Sequence, residues 1–144
     1  MKAELSMLSS NSPLSFEEAA ELYRMPLCVL QTAVDRNDVT YEDLGGTIVL
    51  TKDYMDELLL HPDIGVVYAV GFLKYVKIGF STNFASRLET LQGGCPLRLT
   101  VYRTFPAFQH DERAFHRRFA HARLSGEWFL MDRKVAAWAR GQAQ

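Results

Sequence analysis

The chain has no apolar run long enough to span a bilayer. It has few cysteines, Cys28 and Cys95, far apart in sequence. There is no CxxC pair and no Cys/His cluster at zinc-ligand spacing, which excludes a structural zinc site and a disulfide framework. The first residues, MKAELSMLSSNSPLSF, lack the apolar core of a signal peptide. These absences lead us to expect a cytoplasmic protein without membrane attachment. Net charge is also scarce, at −1 over 144 residues, but that figure conceals a division. Residues 1–62 hold four basic and eleven acidic side chains, net −7. Residues 63–144 hold twelve basic and six acidic ones, net +6. A basic half is the electrostatic footprint expected of a nucleic-acid binder.

The sequence divides at the same place. Residues 1–13, rich in serine, read as a flexible lead-in. Ser15 followed by Glu18 is a capping-box signature, and Phe16, Ala19, Leu22 and Tyr23 continue an apolar helical face. Pro26 suits the first turn of a second helix, PLCVLQTAVDR, which stops near Asn37. Gly45-Gly46 predicts a tight hairpin turn, and Thr51 a cap for a third helix ended by Pro62. Residues 14–62 therefore read as a small module of helix, turn, helix, hairpin and helix. Residues 14–60 resemble the winged helix-turn-helix of the excisionase and MerR-like group.

Residues 63–144 read differently. IGVVYAVGF and YVKIGF form two strands with a turn near Phe72 to Lys74. STNFASRLETLQ is a helix capped by Asn83 or Ser81. LRLTVYRTF alternates, placing Leu97, Leu99, Val101 and Phe105 on one face. Residues 109–123 form a basic helix, GEWFLM a short extended piece, and Asp132 caps a last helix. The expected class is α+β: a three-stranded, mainly antiparallel sheet with flanking helices.

Several residues in this half suit phosphodiester chemistry. VVY ends in Tyr68, Lys77-Ile78-Gly79 lies on the partner strand, Arg87 follows ten residues after Lys77, and Glu112 opens the helix after the third strand. In that order, and with the closing GEWF, residues 64–131 resemble the GIY-YIG nuclease superfamily, in its phage and fungal subgroup with a KIG second motif. The resemblance implies a DNA endonuclease or nickase using Mg²⁺ or Mn²⁺, with Tyr68, Lys77, Arg87, Glu112 and His116 as catalytic residues and Glu112 as metal ligand. One carboxylate plus substrate phosphate is enough for magnesium, which keeps several waters. Arg87 can grip phosphate oxygens through its planar fork. Tyr68 can position water or act as a base. Lys77 departs from the usual tyrosine; its charge can bind phosphate or lower the pKa of Tyr68. His116, one turn after Glu112, can orient it.

Each residue also has a plain reading: Glu112 as a helix-start carboxylate favoured by the dipole, Tyr68 as core, Arg87 and Lys77 as solvated charges, His116 as a structural histidine. Arg113, Arg117, Arg118 and Arg123 are candidates for tracking a nucleic-acid backbone. Glu127 of GEWF is a further candidate at the site. In the acidic module, Gln31 and Arg36 are the candidate DNA contacts. Three roles stay open for that module: weak DNA binding, protein interaction or self-association, and folding back to shield the basic half. The alternatives to a nuclease are a catalytically inactive nucleic-acid-binding regulator and a protein-interaction adaptor.

Overall fold

The computed structural model describes residues 12–141, which fall into two compact units meeting between Pro62 and Asp63. Among the described residues no helix is long and apolar enough to cross a membrane.

In the first unit, Ser15 and Glu18 close the expected capping box, each side chain bonding the other's backbone N–H, at 3.1 and 2.9 Å. Helix α1 spans Phe16–Leu22 and α2 spans Leu27–Asp35. Pro26 is the residue before α2 rather than in its first turn, with ψ 144. Strands β2 (Glu42–Leu44) and β3 (Thr47–Thr51) pair around Gly45-Gly46, whose φ angles of 66° and 94° are those a primed turn demands. Thr51 accepts from the Tyr54 N–H and caps α3, Lys52–Leu59. The lead-in differs from expectation at its end. Pro13–Leu14 form strand β1, which adds to the outer side of β3, a place where a missing N–H is tolerated. Residues 1–11 lie outside the described residues. Leu30, Leu50, Met55 and Ala19 close this unit's core.

The second unit is one antiparallel sheet of five strands, in the order β6-β4-β5-β8-β7. Strands β4 (Gly65–Phe72) and β5 (Tyr75–Ser81) form the expected hairpin. Helix α4 (Phe84–Gly93) follows, capped by Asn83, while Ser81 Oγ accepts from the Asn83 N–H. Strand β6, Thr100–Ala107, returns to pair with β4. A register shift beside Ala69/Val70 lets Val101 and Arg103 oppose consecutive β4 residues, so Tyr102 is extra. The alternation expected from Leu97 to Phe105 therefore breaks: Phe105 is buried, while Leu97 and Val101 are each 43% exposed.

The basic helix is shorter than its charge pattern suggests. Helix α5 spans Gln109–Arg118, and a 3-10 turn follows at Ala120–Ala122. Arg123–Ser125 is strand β7, which turns at Gly126 and pairs with β8, Trp128–Leu130. GEWFLM is thus half of a hairpin bonded to the edge of β5, and the sheet has five strands instead of three. Two-residue spacing is too short to show alternation in strands of three residues, which hid them from the sequence. Helix α6, Arg133–Ala139, is capped by Asp132 as expected.

The two faces of the sheet are packed unequally. On one, Val67, Ala69, Val76, Ile78, Phe105 and Phe129 are buried. Trp138 from α6 meets Phe115 at 5.0 Å, Phe119 at 5.4 Å and Phe105 at 6.1 Å between ring centroids. The opposite face carries Tyr68, Val70, Phe72, Lys77 and Trp128, which strand pairing places together. Trp138→Ala should cost the second unit about 3–5 kcal/mol, the range for emptying a buried aromatic site. Denaturant unfolding followed by circular dichroism would measure it.

Candidate active site

Tyr68 and Gly79 are cross-strand partners. A Cβ at position 79 would lie 2.4 Å from the Tyr68 hydroxyl and 2.5 Å from its ring, so the glycine of KIG makes room for the tyrosine. The Tyr68 ring also rests 5.1 Å from Phe84 at the start of α4. One turn further along α4, Arg87 Nη1 donates to the Tyr68 hydroxyl at 3.4 Å. Burial raises the Tyr68 pKa, with the Arg87 guanidinium opposing it. The phenol is therefore protonated at neutral pH. The direction of the shift is opposite to the lowering that a neighbouring Lys77 charge would give.

Lys77 is committed elsewhere. Its Nζ lies 3.1 Å from Glu127 Oε1 and 5.6 Å from the centre of the Trp128 ring. Glu127 sits in the β7–β8 connection, and its carbonyl accepts from the Ile78 N–H at 3.0 Å. Glu112 on α5 is buried, so the solvated helix-start reading does not hold. Its carboxyl hydrogen-bonds that of Glu127. Burial and then the Glu127 charge push its pKa up to about 7, against the pull of Arg113 and Lys77. Two neighbouring carboxyls sharing a proton behave this way.

His116 occupies a positioning place. Its Nε2 donates to the Ile78 carbonyl at 2.7 Å, and its ring lies 5.2 Å from Phe129. Strand β8 ends at Trp128, opposite Lys77, so from Ile78 onward the outer edge of β5 has no strand partner. His116 covers it and pins α5 there, one turn from Glu112.

The structure thus brings Tyr68, Lys77, Arg87 and Glu112 together and adds Glu127. His116 lies beside them, facing the strand backbone. Arg113, Arg117 and Arg118 are exposed on α5. Arg118 lies over the Phe119 ring at 5.3 Å. Arg123 is not on that helix; it belongs to β7, where its Nε donates to the Gly126 carbonyl at 2.7 Å. In the first unit, Gln31 Nε2 donates to Asp35 at 2.8 Å and Arg36 Nε pairs with Asp38 at 3.5 Å. Both candidate readers are therefore engaged by neighbouring carboxylates. Among the described residues no group of three or more His, Cys, Asp or Glu side chains could hold a metal ion.

The second unit is an α+β domain in which an arginine-bonded tyrosine and a pair of carboxyls meet beside one antiparallel sheet. The chain belongs to the T5orf172 domain family, whose model matches residues 65–141. This nuclease-associated family is consistent with a nuclease or DNA-binding role. The assignment corrects the resemblance drawn from VVY, KIG and GEWF, because no GIY-YIG model matches. Those short motifs mark a strand pair and a glycine contact that many sheets need, and they do not separate one nuclease-like family from another. The match begins at Gly65, so it lends nothing to the excisionase and MerR-like resemblance of residues 14–60. No curated protein and no solved structure matches the chain.

The raised Glu112 pKa has a consequence for stability. Its folded value lies above the unfolded one, so folding favours the protonated carboxyl. That contribution is complete below the ordinary glutamate value of 4.5 and is lost as pH rises through about 7. Glu112→Gln, which keeps the neutral form, should therefore raise the melting temperature in EDTA at pH 8 and leave it nearly unchanged at pH 4. Thermal melts at the two pH values would check this.

Proposed function

We propose that the second unit is a divalent-metal-dependent endonuclease or nickase acting on DNA phosphodiester bonds. The observation that carries this reading is the convergence of Tyr68, Arg87, Lys77, Glu112 and Glu127 where α4, the sheet and α5 meet. The family assignment is consistent with it.

The donor set suits a hard cation. Glu112 keeps its proton up to about pH 7 beside the Glu127 carboxylate, and an added positive charge there relieves their repulsion. Glu112, with Glu127 beside it, would hold Mg²⁺ or Mn²⁺. The metal would polarise the phosphate and stabilise the leaving oxygen. Arg87 is exposed at the mouth of the site and can grip a non-bridging phosphate oxygen. Its bond to Tyr68 uses a lone pair of the phenol, leaving the phenolic proton to orient a water or the phosphate. Lys77 holds Glu127 in place through their 3.1 Å ion pair. His116 fixes the helix that carries Glu112. Arg113 and Arg117, exposed four residues apart on α5, can follow the strand backbone.

A second reading, a catalytically silent nucleic-acid binder, is favoured by two facts. Burial favours the protonated form of Tyr68, and Lys77 pairs with Glu127. Cleavage of supercoiled plasmid decides between the two. The nuclease reading expects nicked or linear product with Mg²⁺ or Mn²⁺ and none with EDTA. Glu112→Ala should abolish the product, and Arg87→Ala should slow it by about 10²–10³-fold, as loss of a transition-state donor does. No cleavage by the wild type with either metal, together with binding that weakens steeply with salt, would favour the binder.

A further inference from the structure

The sheet face beneath α4 does not end at the candidate active site. Next to it lies a cavity of about 330 Å³ lined by Val70, Phe72, Leu91, Cys95, Leu99 and Trp128. Its position follows from the elements that build the site. On β4, Val70 and Phe72 come two and four residues after Tyr68, on the same face. On α4, Leu91 comes one turn after Arg87. Across the sheet, Trp128 is the strand partner of Lys77. Strand β4 and helix α4, which supply Tyr68 and Arg87 to the site, thus also wall the cavity, and β8 adds Trp128. The offset is about 7 Å along the strand and about 6 Å along the helix. That offset is the scale separating a phosphate from the base of the same nucleotide.

We propose that this cavity receives an unstacked nucleobase from the strand whose phosphate is held at Arg87 and Tyr68. The proposal rests on the nucleic-acid reading of that site and narrows it: the substrate is single-stranded or locally opened, not intact duplex. The walls suit a flat aromatic guest. Phe72 and Trp128 meet edge to face at 5.8 Å, presenting ring surface. The volume is at the small end for a ligand pocket, enough for one base and too little for a base pair. The far wall is held before any ligand arrives. Gln92 Nε2 donates to the Leu97 carbonyl at 2.9 Å, and Gln92 Oε1 accepts from the Leu99 N–H at 2.9 Å, which fastens the loop carrying Cys95 against α4. Lys77 Nζ lies 5.6 Å from the centre of the Trp128 ring, and Arg87 precedes Leu91 by one helical turn, which favours a guest attached to phosphate over an apolar peptide. Stacking on aromatic side chains is how proteins hold single strands without reading sequence, and extrusion of a base is easiest where pairing is already weak.

Tryptophan fluorescence offers a direct test with the full chain in EDTA, where no cleavage intervenes. The second tryptophan, Trp138, is buried under the opposite face, so a bound base should quench Trp128 selectively. The probes are a short oligothymidylate, an abasic strand of the same length, and an intact duplex, each also followed by anisotropy of a labelled end. The oligothymidylate is expected to quench emission. The abasic strand and the duplex should not, and the abasic strand should bind between about fivefold and about hundredfold more weakly, the range for one lost stacking contact. Thr90→Phe, at an exposed position on the cavity wall, should fill the space and reduce oligothymidylate affinity to that of the abasic strand. Equal affinity and equal quenching by base-bearing and abasic strands would overturn the base pocket and leave the nucleic-acid reading standing. Equal quenching by intact duplex would overturn it as well. Failure of every strand to bind would overturn both.

Discussion

The second unit depends on how one residue's backbone is shared. Ile78 donates its N–H to the Glu127 carbonyl and accepts from His116 at its own carbonyl. The first bond ends the β8 strand beside β5; the second begins the docking of α5 in the space β8 leaves. A buried peptide group needs both partners, and meeting that need fixes two distant segments at one point. Glu127 arrives with the first segment and Glu112, one turn from His116, with the second. The carboxyl pair is thus a by-product of satisfying a strand edge, and its geometry is as firm as the sheet.

The charges at this point are balanced with little to spare. Lys77 offsets Glu127 at 3.1 Å, while burial and the neighbouring carboxyl keep Glu112 protonated up to about pH 7. The second unit's surplus of basic residues lies largely outside this pair, on the solvent face of α5, on β7 and around α6. That arrangement separates an exposed basic surface from a buried cluster in which a carboxyl's charge is controlled by its neighbours. Tyr68 belongs to the buried cluster. Its place over Gly79 gives it burial, and Arg87 gives its hydroxyl a fixed direction.

Much of the first unit was legible locally. Ser15 with Glu18, Gly45 with Gly46, and Thr51 each write a cap or a turn whose partners lie within three or four residues. The β4–β5 hairpin, α4 and α6 were legible for the same reason. What escaped was decided by partners far away. Arg123–Ser125 and Trp128–Leu130 are too short to show a period, and only the open edge of β5 makes them strands. The bulge beside Ala69 and Val70 moved Val101 out to solvent although its spacing suggested the interior. Gln31 and Arg36 are the local exception: Asp35 and Asp38, four and two residues on, hold them, and the i,i+4 spacing of Gln31 and Asp35 could have shown the first pair.

The sequence by itself determined the charge division, the helix caps, the tight turns and the set of residue types able to handle a phosphate. These depend on composition or on neighbours within one turn. Tertiary structure decided which of those residues meet. It joined Tyr68 to Arg87 across nineteen positions, brought Glu112 to Glu127, moved Lys77 from the tyrosine to a carboxylate, and opened a cavity beside them. Such encounters depend on strand register and on which backbone groups remain unpaired at a sheet edge, and neither quantity exists until the strands have found one another.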